Sequence, residues 1–522
     1  MFPIYTNNNN TVRKLTVIAA MLISLFSSVV YAQKTNYPAA INVARQEFDA
    51  QDGYINEKVT QMEGDGLLVS SRSVKPEEGE WQFRYQIFNS NLEEVQQHQL
   101  TVNRVRTGLQ TNTHSFLGPT HFHQLIFGKQ HFTIHSIARK GKAKPVEVEG
   151  DFPISGSVQY MTVIQQRMVI TVNTKQGVSL LFIDWKTGDV TTQALPLPEG
   201  AKPKNVTVLN FQELPNIQSV ATIVRVRPKK SPMLNFCFIH SAEGALQRTI
   251  DITPTEEMTL ISVRVSSVKN EQYIFAGTYS NSTRTTATYS AQGVFFAESD
   301  NQKLKYLTKT NFLDLKNFLD FLPQKSQDRI EKRQQKAENR GGELSYNYLM
   351  TIHPIVVTTD GYFLVGEAFY PEYHTETYYI NGKPQTRRVF DGYQYTHSIL
   401  VKFDASGKRV MDQCLAMHLV DLPMYVVQNV SLNVSVPGQI TLSYATDRYI
   451  VSKTFSDAGT EIAQRQSEVI GTGDENERVR QSTATLRHWY GPNFVAYGFQ
   501  VIKKSGSGKR RVFYITKLQI GN

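Results

Sequence analysis

The chain has 522 residues, a formal net charge of +10 and two cysteines, which excludes a disulfide-stapled miniature fold and a disordered polyelectrolyte. Tyr and Phe number 25 and 28, and long helical periodicity is almost absent, so the composition points to many short strands. Basic residues cluster no more strongly than KKS or KRR, a diffusely basic surface that could favour anionic partners but, with no recognisable binding motif, argues against nucleic acid.

Arg13 and Lys14 precede an apolar run from Leu15 to Val30, and Val30-Tyr31-Ala32 places small residues where a signal peptidase reads them. Residues 1–32 are therefore expected to be a secretory signal peptide, cleaved before Gln33. The run is shorter than the ~20 residues a spanning helix needs, and no cysteine follows it to carry a lipid. Its removal lowers the charge to +8 and leaves residues 33–522 as one domain.

From residue 53 onward one unit recurs: an apolar strand, a turn of Asp, Ser, Asn and Gly, then a more polar strand. The copies read YQIFNSNLEEVQQ, LLFIDWKTGDVTTQ, FCFIHSAEGALQRT, VFFAESDNQKLKYL, ILVKFDASGKRVMD and YIVSKTFSDAGTEIAQ. Their last apolar residues before the turn, Phe88, Ile183, Ile239, Ala297, Phe403 and Phe455, stand 95, 56, 58, 106 and 52 residues apart. Ile137, in a weaker copy, divides the first gap. The period of about 45 to 58 residues is that of a four-stranded propeller blade. Modules are expected at 53–103, 108–150, 154–200, 204–254, 258–310, 343–424, 426–470 and 483–522. The last holds three strands, and Tyr37 to Phe48 is expected to supply its fourth. The fold expectation is all-β: a single closed β-propeller of eight blades, with seven as the alternative. Gly277, Gly366 and Gly498 occupy equivalent places inside strands and mark close approach of another chain near the axis. Cys237 and Cys414 fall in different modules, which argues against a disulfide; Cys414 is expected to be the more exposed.

Two insertions interrupt the sixth module. In residues 311–342, Phe312, Leu315, Leu319 and Leu322 recur at helical spacing up to Pro323, and a charged, helical arm is expected to follow. In residues 371–395, Asn381-Gly382 sits between strand-forming residues and predicts a projecting β-hairpin. The helical insertion joins a fourth strand to the next first strand and the hairpin joins a second strand to a third, so strand direction places both on one face. Tyrosines suit an interface or a sugar-stacking surface. The candidate partner-binding residues are Tyr370, Tyr373, Tyr378, Tyr379, Arg387, Tyr393 and Tyr395.

The phrases GYFLVGEAFYPEY and FDGYQYTHSILVKFDASGK resemble segments of exported, functionally uncharacterised β-propeller-like proteins of the Bacteroidota. The likeness covers Leu344 to Val410 and implies an envelope or secreted location. The chain ends in a strand, RVFYITKLQI, with no separate sorting domain, which favours the periplasm over the cell surface. The resemblance carries no catalytic residues.

His121-Phe122-His123 sets two imidazoles on one face of a strand, half of a metal site with no Cys, Asp or Glu in the same stretch to complete it. No cofactor motif is present, nor any G-x-S-x-G or H-E-x-x-H pattern. The expected function is a non-catalytic binding or scaffold propeller of the cell envelope, engaging a protein or glycan through the elaborated face. The alternative is a carbohydrate-active hydrolase or lyase using Glu367 and Asp391.

Overall fold

Alternating sequences such as Glu80–Phe88 and doubly apolar ones such as Ser219–Val226 both form strands; the second kind is buried on both faces because sheets pack against either side of it. The computed structural model describes residues 40–520 apart from 51, 63–65, 104–111, 129, 142, 199–200, 228–232, 256–257, 269–271, 282–288, 301, 382, 420–421, 448, 469–470, 473, 505 and 507. The expected signal peptide lies outside the described residues, as does Gly382.

The described strands assemble into eight antiparallel sheets, six of them four-stranded meanders in which each strand pairs with the next. The sheets span 54–103, 112–151, 157–194, 206–251, 259–311, 349–416, 431–468 and 477–519. They follow the modules read from the sequence, with one addition. The eighth sheet begins at Glu477 because its first strand is broken in two, Glu477–Ser482 and Thr485–Tyr490. Its outer strand is Ile41–Asp49, paired antiparallel from Ile41 against Gln519 to Asp49 against Val512. The expected donation of an N-terminal strand to the last module is thus observed.

Among the described residues the core consists of eight apolar clusters, each joining two sheets. Seven join sheets consecutive in the chain. The other packs Val59, Leu67, Val69 and Phe88 of the first sheet against Trp489, Val495, Phe513 and Ile515 of the eighth. The repeated turns contribute to this packing. Gly407 and Gly459 stand at φ +79° and +81°, a region that disfavours side chains, and lie against the preceding sheet. A Cβ there would meet the Phe296 ring at 2.5 Å and Met411 at 2.6 Å respectively.

Gly277, Gly366 and Gly498 all face a break in the first strand of their sheet. The Ser262 carbonyl, beside a bulge between Leu260 and Ser262, stands 2.0 Å from where a Gly277 Cβ would lie. Thr483 O, between the two halves of the eighth sheet's first strand, stands equally close to Gly498. Gly366 pairs with Ile352, the last residue before the sixth sheet's first strand is interrupted.

The insertion after the fifth sheet differs from expectation. Phe312–Asp314 is a single 3-10 turn followed by further turns, and the helix, Gln324–Glu338, starts only after Pro323. Packing overrides the apolar spacing here: Phe312, Leu315 and Phe318 are buried individually against the fifth and sixth sheets. Asn317 donates its backbone N–H to Asp412 Oδ2 at 2.8 Å and its side-chain amide to Asp412 O at 2.7 Å. The segment therefore covers the sixth sheet's edge strand, which buries Cys414 to 1% exposure instead of leaving it open. Burial pushes the Cys414 thiol up to about 12.

Candidate recognition site

The projecting hairpin is a continuation of the sixth sheet. Its second and third strands, Gly361–Ile380 and Lys383–Phe403, run far beyond their neighbours and pair with each other from Tyr362 against Phe403 to Ile380 against Lys383. The first strand reaches only to the partner of Phe369, and the fourth only to the partner of His397. Past those points the pair becomes a two-stranded arm. Asn381, at φ +50°, supplies a left-handed residue where the two strands meet at the arm's tip.

The arm divides the candidate residues. Tyr370, Tyr373, Tyr378 and Tyr379 are exposed, with Tyr379 at 72%. Arg387 is exposed as well and pairs with Glu376 at 2.7 Å. His374 bonds Asp391 at 2.5 Å and Glu376 at 3.3 Å; those two carboxylates raise its pKa above the ordinary value. On the other face the Arg388 guanidinium lies 4.1 Å from the Tyr373 ring centre. The outer arm is thus a tyrosine ladder laced with exposed ion pairs.

Tyr395 departs from the expectation, and Tyr393 is only partly accessible. Tyr395 is fully buried; its hydroxyl donates to Val427 O at 2.6 Å and accepts from Val427 N at 2.8 Å. Burial pushes the Tyr395 hydroxyl up to about 12. Tyr393 is half-buried between Phe369 and Phe390, with ring centres 5.3 and 5.1 Å away. Both anchor the base of the arm because the chain linking the sixth and seventh sheets folds against them. Pro423 O accepts the Tyr393 N–H at 2.9 Å.

That linking chain carries surface the sequence reading missed. Met424, Tyr425, Val426 and Val427 are exposed at 54%, 81%, 42% and 40%. Their signal was present in LPMYVVQNV, a short apolar run with no alternation, which reads equally well as a buried strand. The helical insertion, by contrast, shares no hydrogen bond, ion pair or ring contact between its helix Gln324–Glu338 and residues 371–395 among the described residues.

Glu367 is completely buried. Its carboxylate accepts the backbone N–H groups of Asn429, at 2.9 and 3.0 Å, and of Val430, at 2.9 Å. His353 Nε2 donates to it at 2.6 Å and Asn429 Nδ2 at 3.3 Å. No lone pair is left for substrate chemistry. Asp391 neighbours Gly392, the partner of Glu372, so about 16 Å of strand separates it from Glu367. Paired glycosidase carboxylates stand about 5 to 10 Å apart. Cavities of 380 Å³, between the second and third sheets, and 540 Å³, beside Tyr306 and Phe403, have no carboxylate in their lining.

The two strand histidines of the metal expectation pack on Trp185, each with its ring centre 4.7 Å away. Ser136 Oγ engages His123 Nδ1 at 2.8 Å. No cluster of three potential ligands exists among the described residues, nor is any helix there long and apolar enough to cross a membrane.

No family model matches the sequence, and no curated protein matches it. Among solved structures, the chain is similar to the WD40 domain of SCAP from fission yeast at 7% identity, covering 92% of this chain and 98% of that one, with a TM-score of 0.40. It is also similar to the polysaccharide lyase Uly1 at 10% identity, covering 95% and 94%, with a TM-score of 0.33. Likeness at these scores carries no argument about activity.

Proposed function

We propose that the eight sheets close into an eight-bladed β-propeller that serves as a non-catalytic binding scaffold of the bacterial cell envelope. Closure is supported by the cluster uniting the first and eighth sheets and by Gln61 donating to His488 O at 3.0 Å. An exported location is supported by the signal-peptide pattern of residues 1–32 and by the resemblance of Leu344 to Val410 to exported proteins of the Bacteroidota. The periplasm is the compartment this reading favours.

The observation that carries the reading is the arm itself, which holds Tyr370, Tyr373, Tyr378 and Tyr379 in solvent beyond the packed sheet. Exposed tyrosines offer large, rigid contact area with a polar tip, suited to a protein surface or to sugar rings. With Met424–Val427 they form the recognition surface for an envelope protein or glycan. The hydrolase or lyase alternative is disfavoured by the fully occupied oxygens of Glu367.

The test replaces residues 375–390 with an Asn-Gly turn. Binding is then measured to immobilised envelope polysaccharides and to fractionated envelope proteins, with thermal unfolding as the control for the fold. Loss of binding at unchanged unfolding is expected; binding equal to that of the full chain overturns the reading.

A further inference from the structure

The arm has two edges, and they differ in charge. The strand Lys383–Phe403 carries Lys383, Arg387 and Arg388 along its outer part. Such cations blunt an edge against further pairing. The strand Gly361–Ile380 carries Glu372, His374 and Glu376 in the corresponding stretch and no Lys or Arg. From Tyr370 to Ile380 its outer edge pairs with no other strand among the described residues. Pro371, which lacks an N–H, bounds that free edge on one side, and the turn at Asn381 bounds it on the other.

A two-stranded ribbon with an open edge is marginal in water and recruits a further strand where geometry allows. We infer that the free edge, residues 372–378, pairs antiparallel with the same edge of a second copy of this chain, about a two-fold axis through Thr375. Outward-facing backbone groups alternate along a strand, so two identical edges meet only with the axis passing through a residue. Charge and Pro371 together select which residue: an axis at Tyr373 would set Pro371, with no N–H, opposite Thr375, and one at Thr377 would bring no opposite charges together. An axis at Thr375 sets His374 opposite Glu376 of the second copy, twice, and Thr375 opposite itself. An axis at His374 would oppose Glu372 with Glu376, and one at Glu376 would oppose that carboxylate with itself. Like charges directly opposite are unfavourable, whereas opposite charges and Thr–Thr pairs are favourable.

The result is a four-stranded sheet made of two arms, with the tyrosine ladders of both copies side by side on its faces. The contact is short, so the dimer belongs to the weak, reversible class. The inference goes beyond the proposed function, since it uses backbone edges and leaves the tyrosine faces free. Its failure is separable from failure of that reading, because the variants below alter no tyrosine.

The test is sedimentation velocity of the full chain from micromolar to submillimolar concentration, on wild type and Thr375→Glu. Within one arm Thr375 lies opposite Arg388, so a glutamate there supports the arm while setting two carboxylates against each other on the axis. A concentration-dependent dimer is expected in wild type, weakened about tenfold or more by Thr375→Glu. Under mild oxidation Thr375→Cys is expected to form a covalent dimer faster than Thr377→Cys, because residue 375 faces itself across the axis whereas residue 377 faces residue 373; the buried Cys237 and Cys414 do not compete. Each of four results overturns the inference: a monomer at every concentration, dimerisation unchanged by Thr375→Glu, growth beyond a dimer, or cross-linking as fast at residue 377 as at 375.

Discussion

The Glu367 carboxylate accepts the Val430 N–H at 2.9 Å, across 63 positions of sequence. With Asn429 and His353 on the same two oxygens, it tethers the start of the seventh sheet to the second strand of the sixth. Truncating it leaves several largely buried donors without their acceptor. Glu367→Ala is expected to lower unfolding free energy by about 3 kcal/mol or more, and Glu367→Gln, which keeps one acceptor, by about half of that. Urea titrations measure both.

Two glycines with the same apparent role should respond differently to a methyl group. At Gly277 the obstacle is the Ser262 carbonyl, a backbone atom that cannot move aside, whereas at Gly366 the nearest atom is Met350 Sδ at 2.6 Å, the far end of a flexible side chain. Gly277→Ala is expected to cost about 3 kcal/mol or prevent folding, and Gly366→Ala about 1 kcal/mol. Soluble yield and thermal midpoints distinguish them.

Acid should destabilise the fold well before its carboxylates titrate. Burial lowers His123, His135 and His397 from the ordinary 6.5 to about 3. Between those values the unfolded chain binds protons that the folded one refuses, so stability falls as pH drops through that window. Each histidine contributes about 2 kcal/mol of loss between pH 7 and 5. His397 stacks on Phe321 at 3.8 Å, and its buried Nε2 has no hydrogen-bond partner among the described residues. His397→Phe keeps the stack and is expected to remove its share of the pH 7 to pH 5 difference, read from denaturant midpoints at the two values.

Arg45 fastens the N-terminal strand. Its Nη2 donates to Gln500 Oε1 at 2.6 Å, its guanidinium lies 4.7 Å from the Tyr514 ring centre, and Nε donates to Glu47 at 2.9 Å. Arg45→Ala is expected to cost about 2 kcal/mol. Deleting residues 40–49 removes the whole strand and leaves the Val512–Gln519 edge unpaired. Self-association of the truncated chain, seen by light scattering, is the expected outcome.

The sheets were legible because their signal repeats: each copy of the strand–turn–strand unit votes for the same register, and Phe88, Ile183 and Phe455 all proved to be core residues. Phe312 to Leu322 misled because burying single side chains in gaps between sheets produces the same apolar spacing as a helix. The site was half legible. Asn381 located the arm, but sequence does not say which aromatics stand beyond the last neighbouring strand. Tyr379 and Tyr395 share a residue type and a strand-like setting, and the difference between 72% and no exposure comes from where the Val427 segment ends up. Glu367 was a plausible acid until Asn429 and Val430, more than 60 positions away, were placed beside it.

Because Ile41–Asp49 is hydrogen-bonded to the strand ending at Gln519, the first segment of the fold to be synthesised waits for the last. Pairing across nearly the whole chain is a slow, high-contact-order event that no subset of sheets can replace. The outer strand of the eighth sheet therefore stays unpaired until Lys509–Gln519, its partner, is available.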